Sequence, residues 1–280
     1  MSDAGDSTAV DVAGITASVV DRAERGEPLS SASVTLLVRQ YRSGRADVGD
    51  VLGDALARAL VHHVDDAATL LRAGWTMAFA EATTVSDDPR LADAACAAID
   101  ALAADWPSAT LVDEAAVSID ACLFAAPGVG RQELVQAAVD ELERVVAAAY
   151  RPGDGVAHTI GGPRVRGGVS DHVRLASALL TAFELTGRLP YSMLAEELIQ
   201  TSRAALASPM DVAVACDAAR VLCRLARLHG DAEYRAAAVI ASGADYRADA
   251  SSLLDHLTHQ LRDSGSDAAL YALAVDEFNT

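Results

Sequence analysis

The chain has 280 residues, of which 51% are hydrophobic but only 4% aromatic, and its 40 acidic residues against 22 basic ones give a net charge of −18. So acidic a balance argues against nucleic acid and anionic membranes as partners, because both need a basic face. No stretch reaches the roughly 18 uncharged apolar residues of a membrane span.

Every basic residue is arginine, and Asp exceeds Glu more than twofold. That is the pattern of a carboxylate surface kept soluble in strong salt, or of a GC-rich coding sequence. The opening MSDAGDSTAV has no basic region followed by an apolar core, so no secretory leader and a cytoplasmic location are expected. With few aromatics and few β-branched runs, alanine, leucine and valine must do the packing, which favours close-packed helices over sheet.

Residues 1–30 read as a flexible or partly helical segment and 31–280 as a single domain. Apolar residues at helical spacing predict helices near 31–42, 48–63, 66–84, 88–106, 112–126, 131–149, 171–187, 190–207, 210–229, 231–243, 248–263 and 267–277. Short polar breaks separate them, such as SDDPR at 86–90, APGVGR at 126–131 and GRLP at 187–190. No segment alternates for long, so little or no sheet is expected.

HHVDD at 62–66 reads as a turn, since adjacent residues on a helix point in different directions. Cys96, Cys122, Cys216 and Cys223 lack a CxxC pair and read as buried free thiols. The longest irregular piece is RPGDGVAHTIGGPRVRGGVS, 151–170, and a loop of that length in a compact helical protein is usually functional or disordered. DHLTH at 255–259 puts His256 and His259 on one helix face without a further ligand in view, so no metal is expected there. Nucleotide and nucleophile-elbow motifs are absent, and no cofactor is expected.

The helices pair. WTMAFAEATTVSDDPRLADAACAAIDAL and RLASALLTAFELTGRLPYSMLAEELI share one plan: an Ala/Leu-rich helix, a short polar turn, and an amphipathic helix. The first helix of each pair is the more uniformly apolar and must be covered on every side. That asymmetry favours an all-α ring of about six hairpins, an (α/α) toroid, over an open superhelix.

From about 111 to 275 the chain resembles the helical C-terminal part of thioredoxin-domain proteins of unknown function, whose toroid is related to N-acylglucosamine 2-epimerases and six-hairpin glycosidases. LVDEAA stands where the family typically shows leucine-threonine-aspartate-tryptophan-asparagine-glycine, so Asp113 matches. VSDHV stands for leucine-aspartate-aspartate-tyrosine-alanine, so Asp171 matches while Ser170 and His172 depart. SPMD stands for proline-serine-glycine-asparagine and keeps Pro209 only. The thioredoxin-like domain is missing, since nothing in 1–65 reads as a βαβ unit with a CxxC.

The resemblance implies carbohydrate chemistry at one mouth of the toroid. Asp66, Asp113, Asp171, Asp211 and Asp267 fall at or near starts of inner helices, where paired carboxylates share acid and base work on sugars. Asp113, Asp171 and His172 are the candidate catalytic residues. Arg164 and Arg166 would grip an anionic group of a small sugar, with His158 beside them as a substrate-binding or proton-carrying group. Two other readings stand alongside. Aspartates also cap helices, and a relative that kept the fold and lost the site would be a scaffold.

Overall fold

The computed structural model describes residues 12–62, 68–237, 241, 243–261 and 268–280. These are almost wholly helical: α1 (Val12–Glu24), α2 (Ser31–Arg42), α3 (Gly49–His62), α4 (Thr69–Ala82), α5 (Pro89–Asp105), α6 (Val112–Gly128), α7 (Glu133–Ala149), α8 (Val169–Thr186), α9 (Leu189–Leu206), α10 (Val212–Gly230), α11 (Ala232–Ala237), α12 (Tyr246–Leu261) and α13 (Ala268–Asn279). Between α7 and α8 lies one antiparallel ladder, β1 (Tyr150–Arg151) on β2 (Gly155–Val156), the only strands among the described residues. The all-α class holds. No described helix is long and apolar enough to cross a membrane.

Helix starts follow local chemistry. Ser30 accepts the Ser33 amide at the head of α2, and Asp88 accepts the Arg90 amide ahead of Pro89 in α5. Asp211 accepts the amides of Ala213 and Val214 at the head of α10. Such caps contribute about 1 kcal/mol each by satisfying first-turn donors. At its far end α8 stops at Gly187, whose φ of +67° is open to glycine at no steric cost.

Most helix ends fall within three residues of the sequence reading, and two cases are instructive. α8 begins at Val169, two residues early, because Asp171 reaches back to the Gly168 amide and makes the preceding residues part of the first turn. The helix expected over 231–243 is described only as α11, and 238–240 and 242 lie outside the described residues. So do 63–67, with most of HHVDD and Asp66, and 262–267, with Asp267.

Packing follows a regular order. α2 lies on α4, α4 on α6, α6 on α8, α8 on α10, α10 on α13, and α13 on α2. The amphipathic partners cover them: α5 packs on α4 and α6, α7 on α6, α9 on α8, and α12 on α10 and α13. α6 shows what small residues permit, with Ala115, Ala116, Ile119, Ala121, Cys122, Leu123, Ala125 and Ala126 all buried. Each large apolar side chain among them contributes about 1.5–3 kcal/mol on burial. Where α2 meets α4, a Cβ on Gly74 would run into the Ser31 hydroxyl, so glycine sets that approach.

The cysteines form no disulfide; Cys122, Cys216 and Cys223 are buried and Cys96 half-buried. Burial pushes the Cys122 thiol up to about 12 and the Cys223 thiol to about 11, which removes both as nucleophiles near neutral pH.

Candidate functional site

The long segment after α7 is ordered by its own backbone. His158 donates its amide to the Val165 carbonyl at 2.8 Å and accepts the Val112 amide at 2.9 Å, so the loop is stitched to the head of α6. The Gly167 amide closes onto the Val156 carbonyl. Gly155 has a φ of +70°, and a Cβ there would collide with the His172 ring. This position therefore needs glycine twice over.

His172 is held at both nitrogens. Nδ1 lies 2.7 Å from the Gly168 carbonyl and must carry the proton, while Nε2 accepts the Val156 amide at 3.3 Å. Those two partners fix a neutral ring, buried and pinning loop to helix. Arg164 is also engaged with backbone, donating to the carbonyls of Ala149 and Gly155. Arg166 is exposed, with its backbone bridged to Ala157.

The structure brings His158 and Asp171 together. Asp171 is only 1% exposed; one carboxylate oxygen accepts the Gly168 amide at 2.7 Å and the other faces His158 Nδ1 at 3.0 Å. The carboxylate thus fixes which nitrogen of His158 is held, and Nε2 is left for other work. The His158 side chain keeps 40% of its surface accessible. Its pKa lies above the ordinary histidine value, first through the hydrogen bond and charge of Asp171, with Asp113 and Glu114 adding to it. Asp113 joins the group: one donor atom from each of Asp113, His158 and Asp171 lies within 4.8 Å of the others. All three are already engaged, Asp113 with Arg174, His158 with Asp171, and Asp171 also with the Gly168 amide, so a cation would have to displace a guanidinium.

Arg174 carries the arrangement inward. Its Nη1 donates to Asp113 at 2.9 Å, and its side chain lines a half-open cavity of about 540 Å³ among α2, α4, α6, α8, α10 and α13. That volume lies within the roughly 300–1,000 Å³ of small-molecule pockets. Its lining includes apolar Leu70, Met77, Val117, Phe124 and Leu270. It also includes Arg174, Ser177, Thr181, Asp217, Arg220 and Arg224. Asp120 accepts Ser177 and Thr181, each at 2.6 Å, and Arg224 donates to both hydroxyls and to Glu184.

At the far end Glu277 takes Arg220 and Arg227, each at 3.0 Å. Burial opposes its ionisation, but the two guanidiniums prevail and hold Glu277 below the ordinary carboxylate range. Asp217 goes the other way. Burial raises its pKa, and Arg220 and Arg174 offset only part of the effect. Some 32% of its side chain remains accessible, and it lines the half-open cavity, where water solvates a charge less well than bulk solvent does.

Asp211 acts as the cap of α10 and Asp113 sits in the first turn of α6. His256 hydrogen-bonds the Ser252 carbonyl and lines a separate pocket with Gln200 and Arg203, while the side chain of His259 lies outside the described residues. A mostly apolar pocket of about 330 Å³ around Leu29, Val34, Ala55 and Trp75 lacks the convergent polar groups of the central cavity.

The cavity residues escaped the sequence reading, which took the first helices as uniformly apolar. A signal was present. Arg174, Ser177 and Thr181 stand at i, i+3, i+7 on α8, and Asp217, Arg220 and Arg224 repeat that spacing on α10. A polar stripe on an otherwise buried helix must face another polar stripe or a cavity. In comparisons with known proteins, no family model matches the chain and no curated protein matches it.

Proposed function

We propose that the chain is an (α/α) toroid of about six hairpins that binds a sugar in its central cavity and does acid–base chemistry at the cavity's rim. The order of neighbours among the six inner helices, which runs from α2 through α4, α6, α8 and α10 to α13 and back to α2, supports the toroid. The observation that carries the function is the His158–Asp171 pair beside Asp113, joined to the cavity through Arg174.

In this reading Asp171 is a positioning residue, buried and holding His158 Nδ1, and His158 Nε2 is the atom that exchanges a proton with the ligand. The raised pKa keeps His158 protonated to higher pH, which suits a general acid near neutrality. Asp113, anchored by Arg174, supplies the second carboxylate, and the paired arrangement is the one sugar-cleaving and sugar-isomerising sites use. Arg164 is engaged with two carbonyls, so the role of gripping ligand passes to the cavity wall. A scaffold would fill the space between its inner helices with leucine and alanine; a cavity with a charged wall favours a ligand.

The test is conversion of N-acetyl-D-glucosamine and common aldoses followed by proton NMR in heavy water. Epimerisation or exchange at a carbon next to the carbonyl, lost in His158→Ala with the fold intact, is the expected result. No exchange, and no hydrolysis of aryl glycosides, would remove the catalytic part of the reading.

A further inference from the structure

The five arginines that line the cavity all have carboxylate partners: Arg39 with Glu81 and Asp276, Arg174 with Asp113, Arg220 and Arg227 with Glu277, and Arg224 with Glu184. Asp120 has its two hydroxyl donors. Asp217 differs from all of these. Its nearest cation is Arg174 Nε at 3.8 Å, beyond hydrogen-bond reach, and Asp217 accepts no hydrogen bond among the described residues. Arg174 Nε is itself buried without a hydrogen-bond partner. An acceptor open to the cavity and a buried, unmet donor thus stand side by side, and the buried donor is costly unless something else satisfies it.

We propose that Asp217 is the ligand-contacting carboxylate of the cavity, and that its ligand is an uncharged polyhydroxylated molecule whose hydroxyl donates to it. The inference rests on the reading of the cavity as a sugar site and deepens it by fixing the class of sugar. The cationic side chains are already matched by carboxylates, and the buried guanidinium donor left unmet, Arg174 Nε, lies beside Asp217. A ligand anion would be set against Asp217 and Asp120. A ligand cation would meet Arg174 and Arg220, which flank Asp217. A hydroxyl has neither conflict, being donor to the carboxylate and acceptor toward an arginine. Val117, Met77 and Phe124 in the same lining suit the C–H face of a pyranose. Asp217 lies in the middle of α10 and caps nothing, so a helix-start role does not account for it.

The experiment is isothermal titration of the full chain and of Asp217→Asn with D-glucose, D-galactose and D-glucuronate, with thermal unfolding of both proteins as the folding control. The parent is expected to bind a neutral sugar at least about tenfold tighter than glucuronate. Asp217→Asn is expected to lose roughly tenfold or more, since the amide is a weaker acceptor for the same hydroxyl. Its Tm should be unchanged or raised, because a poorly solvated charge is removed. In the parent, bound neutral sugar should also protect Asp217 from carbodiimide coupling, a readout that needs no variant. Preference for glucuronate, or neutral-sugar binding that Asp217→Asn leaves intact, overturns the role of Asp217 while the sugar reading stands. Binding of none of the three overturns the sugar reading and this inference with it.

Discussion

Replacing Asp171 by alanine separates two jobs that the side chain does at once. Its carboxylate is 1% exposed and accepts the Gly168 amide at 2.7 Å, a charge-assisted bond of the kind that contributes about 1.5–3 kcal/mol. The bond to His158 adds less than about 1 kcal/mol, because that ring is 40% exposed and solvent screens the pair. Asp171→Ala should therefore cost about 2–4 kcal/mol, with the emptied volume included, and His158→Ala under about 1 kcal/mol. Asp171→Asn keeps an acceptor for the Gly168 amide and should recover much of the difference.

Urea unfolding followed by circular dichroism measures all three. The His158 part has a definite pH dependence. A histidine whose folded pKa is raised contributes fully below its unfolded value of about 6.5 and loses that contribution as pH rises through the folded value. The reasoning fails if Asp171→Ala costs less than about 1 kcal/mol, or if His158→Ala costs as much as Asp171→Ala.

Three further outcomes follow from the geometry. Glu277→Gln removes the carboxylate that holds Arg220 and Arg227 between α13 and α10, and should cost about 2–3 kcal/mol, below the full penalty of a buried pair because both arginines are partly exposed. Since Glu277 titrates below its ordinary range, that contribution is present above about pH 4.5 in the parent and is lost as pH falls through the lowered value, which an acid-unfolding curve would show. Gly155→Ala combines a positive φ with a collision against His172 and should cost more than about 1 kcal/mol in thermal unfolding, with loss of the His172 ring's fixed tautomer by nitrogen NMR. Alkylation of the native protein at mildly alkaline pH, read by mass spectrometry, should modify Cys96 well ahead of Cys122 and Cys223, whose thiols are buried and hard to ionise.

Helical class and the places where helices start and stop were legible in the sequence, because Asp88-Pro89, Asp211 and Gly187 act through neighbours in the chain. The interior between the helices was not. Asp217 and Arg174 are 43 residues apart in sequence, and only the packing of α8 on α10 brings them to 3.8 Å. His158 and Asp171 were both singled out, yet their pairing depends on a turn of the loop that the stretch AHTIGGPRVRGG does not announce. His172 drew attention as a histidine beside a motif aspartate, but its partners are two backbone groups, and a sequence shows side chains more readily than it shows which of them serve the backbone. Arg164 is a second case, a charged group whose partners are carbonyls of the loop's own strands.

The most direct test follows the His158 ring by carbon–proton NMR through a pH titration, with and without saturating D-glucose or D-galactose. If the cavity takes the sugar and the His158–Asp171 pair works at its rim, the His158 midpoint moves when sugar is added. A His158 midpoint that stays in place while sugar is demonstrably bound would separate the pair from the cavity and contradict a shared site.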